Sequence, residues 1–389
     1  MLGCSYPKNF RALSLGILCF EGFGIRIFDG VFNGAIVLWT IVLFCLNIRY
    51  IVKMSNIYWL KVFCVFVFYI VFCQIKDVAP ATWLCAAWLS AAICIAPYIS
   101  DASLSFVDDI RILAKFCMYY SLLHIPIMLL ANDFLIKTSF GMHPKTFLYL
   151  FYFNSRQGLW GMNRIQGFCW EPSCWNLLLN INLIMVLYFK ESKKIIALSV
   201  LSILSIMSTT GLITMTVIFV LHLLLQAKEK KIKKVIPLFL LFFILVFPLV
   251  LNDYENKMES GSGQARLGDF AIASAVLAEN PLLGDDLDNI TKNVVAMRAR
   301  QKVWTSSGDY KGYMKQGMVN SFASLLVEWG IPLFLVIIWM AVKSPIIKDG
   351  KLRFVYTAVF FIVLMGTPIA RTGFFYMMPL STYLMPSKK

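Results

Sequence analysis

Ile195-Ile196-Ala197-Leu198-Ser199-Val200-Leu201-Ser202-Ile203-Leu204-Ser205-Ile206-Met207-Ser208-Thr209-Thr210-Gly211 opens a run that reaches Gln226 without one Asp, Glu, Lys or Arg. Lysines flank it at both ends: Lys190, Lys193 and Lys194 before it, and Lys228, Lys230, Lys231, Lys233 and Lys234 after it. As one helix it would be about 48 Å long at about 1.5 Å per residue, well over the roughly 30 Å apolar core of a bilayer, and it would strand one lysine cluster on the wrong side. Two short helices meeting at Ser208-Thr209-Thr210-Gly211 satisfy both constraints; a single tilted helix is the alternative. The hairpin reading puts both clusters on one side, and that choice sets the orientation of everything else.

The composition supports a membrane setting. Of the 389 residues 59% are hydrophobic and 15% charged, with a mean hydropathy of +0.73. An ordinary soluble domain has about a quarter of its residues charged. The net charge of +15 would suggest nucleic acid in a soluble chain. Here the basic residues sit in short stubs between apolar runs: Lys8 and Arg11, Arg49 and Lys53, Arg111 and Lys115, the two lysine clusters, Lys343 to Arg353, and Lys388 and Lys389. That is the positive-inside pattern, with an added attraction to anionic lipid, and nucleic acid is not an expected partner.

Working outward, apolar runs at about 12–28, 31–48, 57–75, 81–99 and 112–131 read as five spans, with a sixth at 173–189, the hairpin, and a ninth at about 235–251. A tenth follows at 320–342, an eleventh starts near Phe354, and the chain is expected to turn at Pro368, Arg371 and Gly373 and return a short twelfth element. The expected fold is one all-α, polytopic transmembrane bundle over residues 1–389 with about twelve spans, both termini inside. Two long loops, 132–171 and 252–318, then lie outside. Within the first, Thr146 to Phe153 is too short to span and rich in aromatics, and it is read as an interfacial piece. Within the second, a helical-looking run opens at Ala265 and stops at Asn280-Pro281.

The cysteines point to no disulfide framework. Most lie in apolar runs as small hydrophobes, and Cys169 and Cys174 read as two interfacial thiols, with pairing as the alternative. The first apolar run lacks a small-residue cleavage site and carries Glu21, so no cleavable signal peptide is expected. Glu21 within that run points either to function or to a paired structural carboxylate. His124, His143 and His222 have no ligand spacing, so no metal site and no cofactor are expected. Asp286-Leu287-Asp288 has the form of a metal-holding D-x-D in an acidic loop where such matches are common, and Asn289-Ile290-Thr291 that of a glycosylation sequon.

On the external side three arginines from separate segments are available: Arg164, Arg266 and Arg371. Guanidinium stays charged and holds phosphate oxygens in pairs, so converging arginines would bind a phosphorylated group; snorkelling at the interface is the plain alternative. Asp269 follows Arg266 on the loop helix, and Glu171 precedes Pro172 at the start of the sixth span.

Arg164-x-x-Gly167-x-x-x-Glu171-Pro172, the Ser208-Thr209-Thr210-Gly211 hairpin, Arg266 with Asn280-Pro281-Leu282-Leu283-Gly284, and Asn320-Ser321-Phe322 followed by Glu328-x-Gly330-Ile331 resemble, in that order, the landmarks of O-antigen polymerases and ligases. The resemblance covers roughly residues 160–340. Two departures matter. Many relatives carry an arginine where this chain has Thr209, and the ligase branch has a histidine where this chain has Val319, which favours the polymerase branch.

What the resemblance implies is a metal-independent membrane glycosyltransferase of the lipopolysaccharide or capsule pathway. It would act at the periplasmic face of the bacterial inner membrane, joining undecaprenyl-diphosphate-linked oligosaccharide repeat units. Arg164 and Arg266 would stabilise the diphosphate leaving group, Glu171 would act as base, and Arg371, Asp269, Asn320 and Ser321 would help hold substrate. Membrane lipids and a chain-length regulator protein are the expected partners. The rival readings are an O-antigen ligase acting on lipid A core and a lipid-linked oligosaccharide flippase. A flippase would place charges along the middle of its spans, and here the spans are nearly uncharged.

Overall fold

The computed structural model describes residues 8–23, 32–138, 144–157, 163–169, 171–226, 261–286, 318, 320–367, 369–370 and 372–385. The expected span at 235–251, the lysine cluster from Lys228, most of the loop at 252–318, Trp170, Val319, Pro368 and Arg371 lie outside them.

The described chain is mostly helical. Its helices are α1 (Lys8–Phe23), α2 (Phe32–Ile51), α3 (Asn56–Ile75), α4 (Thr82–Ser100), α5 (Phe106–Leu130), α6 (Pro172–Tyr188), α7 (Lys193–Ser205), α8 (Thr209–Gln226), α9 (Gly261–Glu279), α10 (Ser321–Lys343), α11 (Gly350–Gly366) and α12 (Gly373–Leu384). Among the described residues α3, α4, α5 and α10 are long and apolar enough to cross a membrane. Shorter apolar helices lie at Val37–Ile51, Pro172–Tyr188 and Thr209–Leu225. The uncharged run at 195–226 is two helices, as its flanking charges require: α7 ends at Ser205, and Met207 turns the chain with φ 55° before α8 begins.

Two helices are central. α4 is buried without a break from Ser90 to Tyr98, and its small residues Ser90, Ala91, Ala92 and Ala96 let neighbouring helices approach closely. α6 is buried from Cys174 to Leu187 although it carries Asn176, Asn180 and Asn182. Each of these amides finds a partner: Asn180 donates to Asn176 Oδ1 at 2.8 Å, and Asn182 to Ser199 Oγ of α7 at 2.8 Å. Buried amides joined in this way fasten α6 to the hairpin. α2 and α3 instead turn apolar side chains outward, Leu38, Ile41, Leu60 and Phe63 among them, the surface that lipid accepts.

The two ends of the bundle differ in charge. At one end Arg11 forms a buried ion pair with Asp109 at 2.7 Å, and Lys61 donates to the Tyr383 carbonyl at 3.0 Å. The basic stubs expected on one side also meet here. Glu191, in the α6–α7 turn, accepts from Arg111 Nε at 3.0 Å and Lys115 Nζ at 2.9 Å. Partial burial works against its ionisation, but those hydrogen bonds outweigh it and hold the carboxyl below the usual glutamate range. The stability this cluster contributes is therefore full above the unpaired glutamate pKa of about 4.3 and is lost as pH falls through the lower folded value. Glu191→Gln is expected to cost about 0.5–1 kcal/mol near neutral pH and to flatten the acid limb of a melting-temperature profile measured on the purified protein. Parallel wild-type and variant profiles would contradict this.

The expectation of an all-α chain needs one correction. Residues 136–165 hold a four-stranded antiparallel sheet, β1 (Ile136–Lys137), β2 (Lys145–Phe147), β3 (Phe151–Gln157) and β4 (Asn163–Ile165), in the order β1-β2-β3-β4. Threonine and aromatics favour strands, and here they bury one face: Thr146, Phe153 and Ile165 are fully enclosed. Phe151 stacks on Tyr120 of α5 at 5.6 Å. The β2–β3 turn puts Leu148 at φ 54° and Tyr149 at φ 55°, positions where hairpins usually carry asparagine or glycine. The hairpin therefore left no turn signal. Its tip, Leu148 to Leu150, is exposed and apolar.

Candidate functional site

Four of the expected site residues meet at the end of the bundle opposite the basic stubs. Arg266 and Asp269 stand about one turn apart on α9. Asp269 is fully buried and accepts from the Asn320 backbone N–H at 2.9 Å. Asn320 is the N-cap of α10, its carboxamide oxygen accepting from Phe322 N–H at 3.0 Å and Ala323 N–H at 3.2 Å. Ser321 donates to the Thr367 carbonyl at 2.6 Å and accepts from Ala370 N–H at 2.9 Å. Arg266 completes the joint by donating from Nη2 to the Gly366 carbonyl at 3.0 Å.

The joint fixes three backbone segments. Arg266 Nε and Asn320 Nδ2 are buried and have no acceptor among the described residues. A buried donor left unmatched costs about 1–3 kcal/mol. The oxygens of an anion such as phosphate would match these two donors, and a guanidinium beside a helix N-terminus is a setting that favours an anion. The hydrogen bonds described for Asp269, Asn320 and Ser321 go to backbone and join the start of α10 to α9 and to the end of α11.

The Ser208-Thr209-Thr210-Gly211 turn abuts the same joint. A Cβ on Gly366 would lie 2.7 Å from Thr210 Oγ1, and one on Gly211 would lie 1.9 Å from Asn176 Nδ2. Glycine at both places lets α8 touch α11 on one side and α6 on the other. The contacts thus run from the first turns of α6, through Gly211 and Thr210, to Gly366 and Arg266.

Asn280-Pro281-Leu282-Leu283-Gly284 and Glu328-Trp329-Gly330 dock on each other, backbone to backbone. Asp285 N–H donates to the Val327 carbonyl at 2.8 Å, and Ile331 N–H to the Pro281 carbonyl at 2.9 Å. Gly284 has φ 67° and Gly330 φ 65°, and the second kinks α10. Only glycine takes such angles freely and offers no Cβ to the facing chain.

Arg164 lies on β4, paired with Asn154 on β3. Glu171 sits just before Pro172 at the start of α6, where its carboxylate accepts from Ser173 Oγ at 3.0 Å. Arg371 and the Val319 position are outside the described residues, as are Asp288 and the sequon. Glu21 is buried and accepts from Ser90 Oγ at 3.0 Å, with Thr40 Oγ1 3.0 Å beyond, and its Oε2 has no hydrogen-bond partner among the described residues. Cys169 and Cys174 are both buried free thiols. His124 is enclosed by Tyr120, Phe151 and Phe153. Among the described residues no group of three or more His, Cys, Asp or Glu stands close enough to hold a metal.

Sequence reading missed Asn176, Gly366 and Thr367. The asparagines of α6 were a usable signal, because amides in an apolar span need partners. Nothing in the local sequence marked Gly366 or Thr367. Compared with protein-family models, with curated proteins and with solved structures, the chain matches none.

Proposed function

We propose that the chain is a polytopic inner-membrane polysaccharide polymerase of about twelve spans, its basic stubs cytoplasmic and its long loops periplasmic. It joins undecaprenyl-diphosphate-linked oligosaccharide repeat units of an O-antigen or capsule. The observation that carries this reading is the joint of Arg266, Asp269, Asn320 and Ser321 at the end away from the basic stubs, with unmatched donors facing no acceptor among the described residues. Arg266, Asn320 and Ser321 are among the residues whose order along the chain resembles the polymerase and ligase landmarks.

In this reading the acceptor hydroxyl of one lipid-linked repeat unit attacks the anomeric carbon of the glycan on the other lipid. The new carbon–oxygen bond forms as the bond to the diphosphate breaks, and the electron pair leaves with the diphosphate. Arg266 and Arg164, with Arg371, neutralise the charge that develops on that leaving group, a preorganised electrostatic role. Glu171 takes the hydroxyl proton. Asp269, Asn320 and Ser321 hold Arg266 in place. The apolar outer faces of α2 and α3 keep the polyprenyl lipids and the protein in the same layer.

Reconstitution of the purified chain in vesicles with undecaprenyl-diphosphate repeat units alone tests the proposal. A ladder of glycans growing by one repeat is expected. Reaction only after addition of lipid A core would make the chain a ligase, and movement of repeat units across the bilayer without new bonds would make it a flippase.

A further inference from the structure

A second feature of the same end lies apart from the Arg266 joint. Between the end of α3, the turn leading into α4, and the docked pair of segments at 285–286 and 328–329 is a cavity of about 220 Å³. Its floor is aromatic: Phe72 stacks on Trp329 at 5.4 Å, and Trp329 in turn on Trp88 at 5.8 Å. Its sides carry Trp83, Lys76, Asp286 and Glu328, all partly exposed. Trp329 is 2% exposed, and its indole N–H has no acceptor among the described residues.

The groups are held in place. Lys76 Nζ donates to the Glu328 carbonyl at 2.8 Å and lies 5.2 Å from the Phe72 ring centre. Asp286 follows Asp285, whose N–H is bonded to Val327. The turn between α3 and α4 is fixed by Ala81 N–H donating to Tyr69 Oη at 3.1 Å.

The chemistry narrows the ligand. Drug-sized sites run to about 300–1,000 Å³, so this cavity has room for one small ring. Aromatic faces take apolar C–H surface, while carboxylates accept from hydroxyls and an ammonium donates to them. An anionic ligand would meet two carboxylates against one ammonium. A cationic ligand would find the place over Phe72 taken by Lys76. A neutral ring with an apolar face and a rim of hydroxyls meets neither objection.

We infer that this cavity is a binding subsite for one neutral pyranose ring of a glycan, with Trp83 against the ring, Trp329 buried beneath it in the aromatic floor, and Asp286, Glu328 and Lys76 at its hydroxyls. The subsite goes beyond the transfer reaction. A chain that binds glycosides here yet lengthens no glycan keeps the subsite and loses the proposed polymerase function.

Saturation-transfer NMR on the full chain in lipid nanodiscs tests it, with the methyl glycosides of glucose, galactose, mannose and N-acetylglucosamine as probes. At least one is expected to give saturable transfer, weakened about tenfold in Asp286→Asn, the loss of a charge-assisted hydrogen bond. Trp83→Ala is expected to weaken it similarly and Trp83→Phe, which keeps an aromatic face, to weaken it less. Methyl glucuronide is expected to bind more weakly than methyl glucoside. No saturable transfer from any of the glycosides would overturn the inference. So would transfer unchanged in Asp286→Asn, or choline displacing the bound glycoside. Asp286 lies on a partly exposed turn, so its variant carries the comparison if Trp83→Ala does not fold.

Discussion

Gly284→Ala is expected to remove most of the folded protein. At Gly284 a Cβ would lie 1.9 Å from the Val327 carbonyl oxygen and 2.9 Å from Gly330 N. Both obstacles are backbone, so no side chain can swing aside. An L-residue at this φ costs about 1–2 kcal/mol in itself. Relief of the clash would part the two segments, releasing the hydrogen bonds from Asp285 to Val327 and from Ile331 to Pro281, each worth about 1 kcal/mol. The combined loss of about 3–4 kcal/mol is a large share of a typical stability. Gly350→Ala is the control, since a Cβ there has nothing within 4 Å, and it is expected to melt like wild type. Detergent-extracted yield on size exclusion and melting temperature check both variants. A Gly284→Ala protein that melts with wild type would mean that the two segments do not dock.

Arg266→Ala is expected to leave the protein inserted and to stop chain extension, so that cells carry single-repeat glycan in place of long chains. Its guanidinium is half-buried, uses Nη2 on the Gly366 carbonyl, and keeps Nε unmatched among the described residues. Loss of a preorganised donor at a developing oxyanion lowers turnover by about two to three orders of magnitude. Part of the effect on folding would come from the orphaned Gly366 carbonyl, so Arg266→Lys separates the roles. Lysine keeps the charge but not the planar fork, and it is expected to restore folding yield more fully than chain extension. Normal long-chain glycan in Arg266→Ala would remove Arg266 from the site.

The helical framework was legible because bilayer physics writes itself into hydropathy and charge. The expected runs at 57–75 and 81–99 became α3 and α4 almost residue for residue, and the lysines around 195–226 required a hairpin that the structure contains. The sheet was illegible because its turn uses Leu148 and Tyr149 at positive φ, where side-chain identity gives no warning. The joint was legible in part: Arg266, Asp269, Asn320 and Ser321 were expected near substrate, and they do converge. Their contacts were not readable, since the sequence does not show that Asp269 meets the Asn320 backbone N–H or that Ser321 bridges Thr367 and Ala370. The aromatic cavity was hidden for a different reason. Lys76, Asp286 and Glu328 come from three separate segments, and each alone is an ordinary residue near a helix end.

The measurement that bears most directly on the central reading is the yield of free undecaprenyl diphosphate in vesicles containing only the purified chain and lipid-linked repeat units. One molecule released per new glycosidic bond, unaffected by EDTA, is the predicted result. Release without lengthening, or lengthening that requires lipid A core, would contradict it.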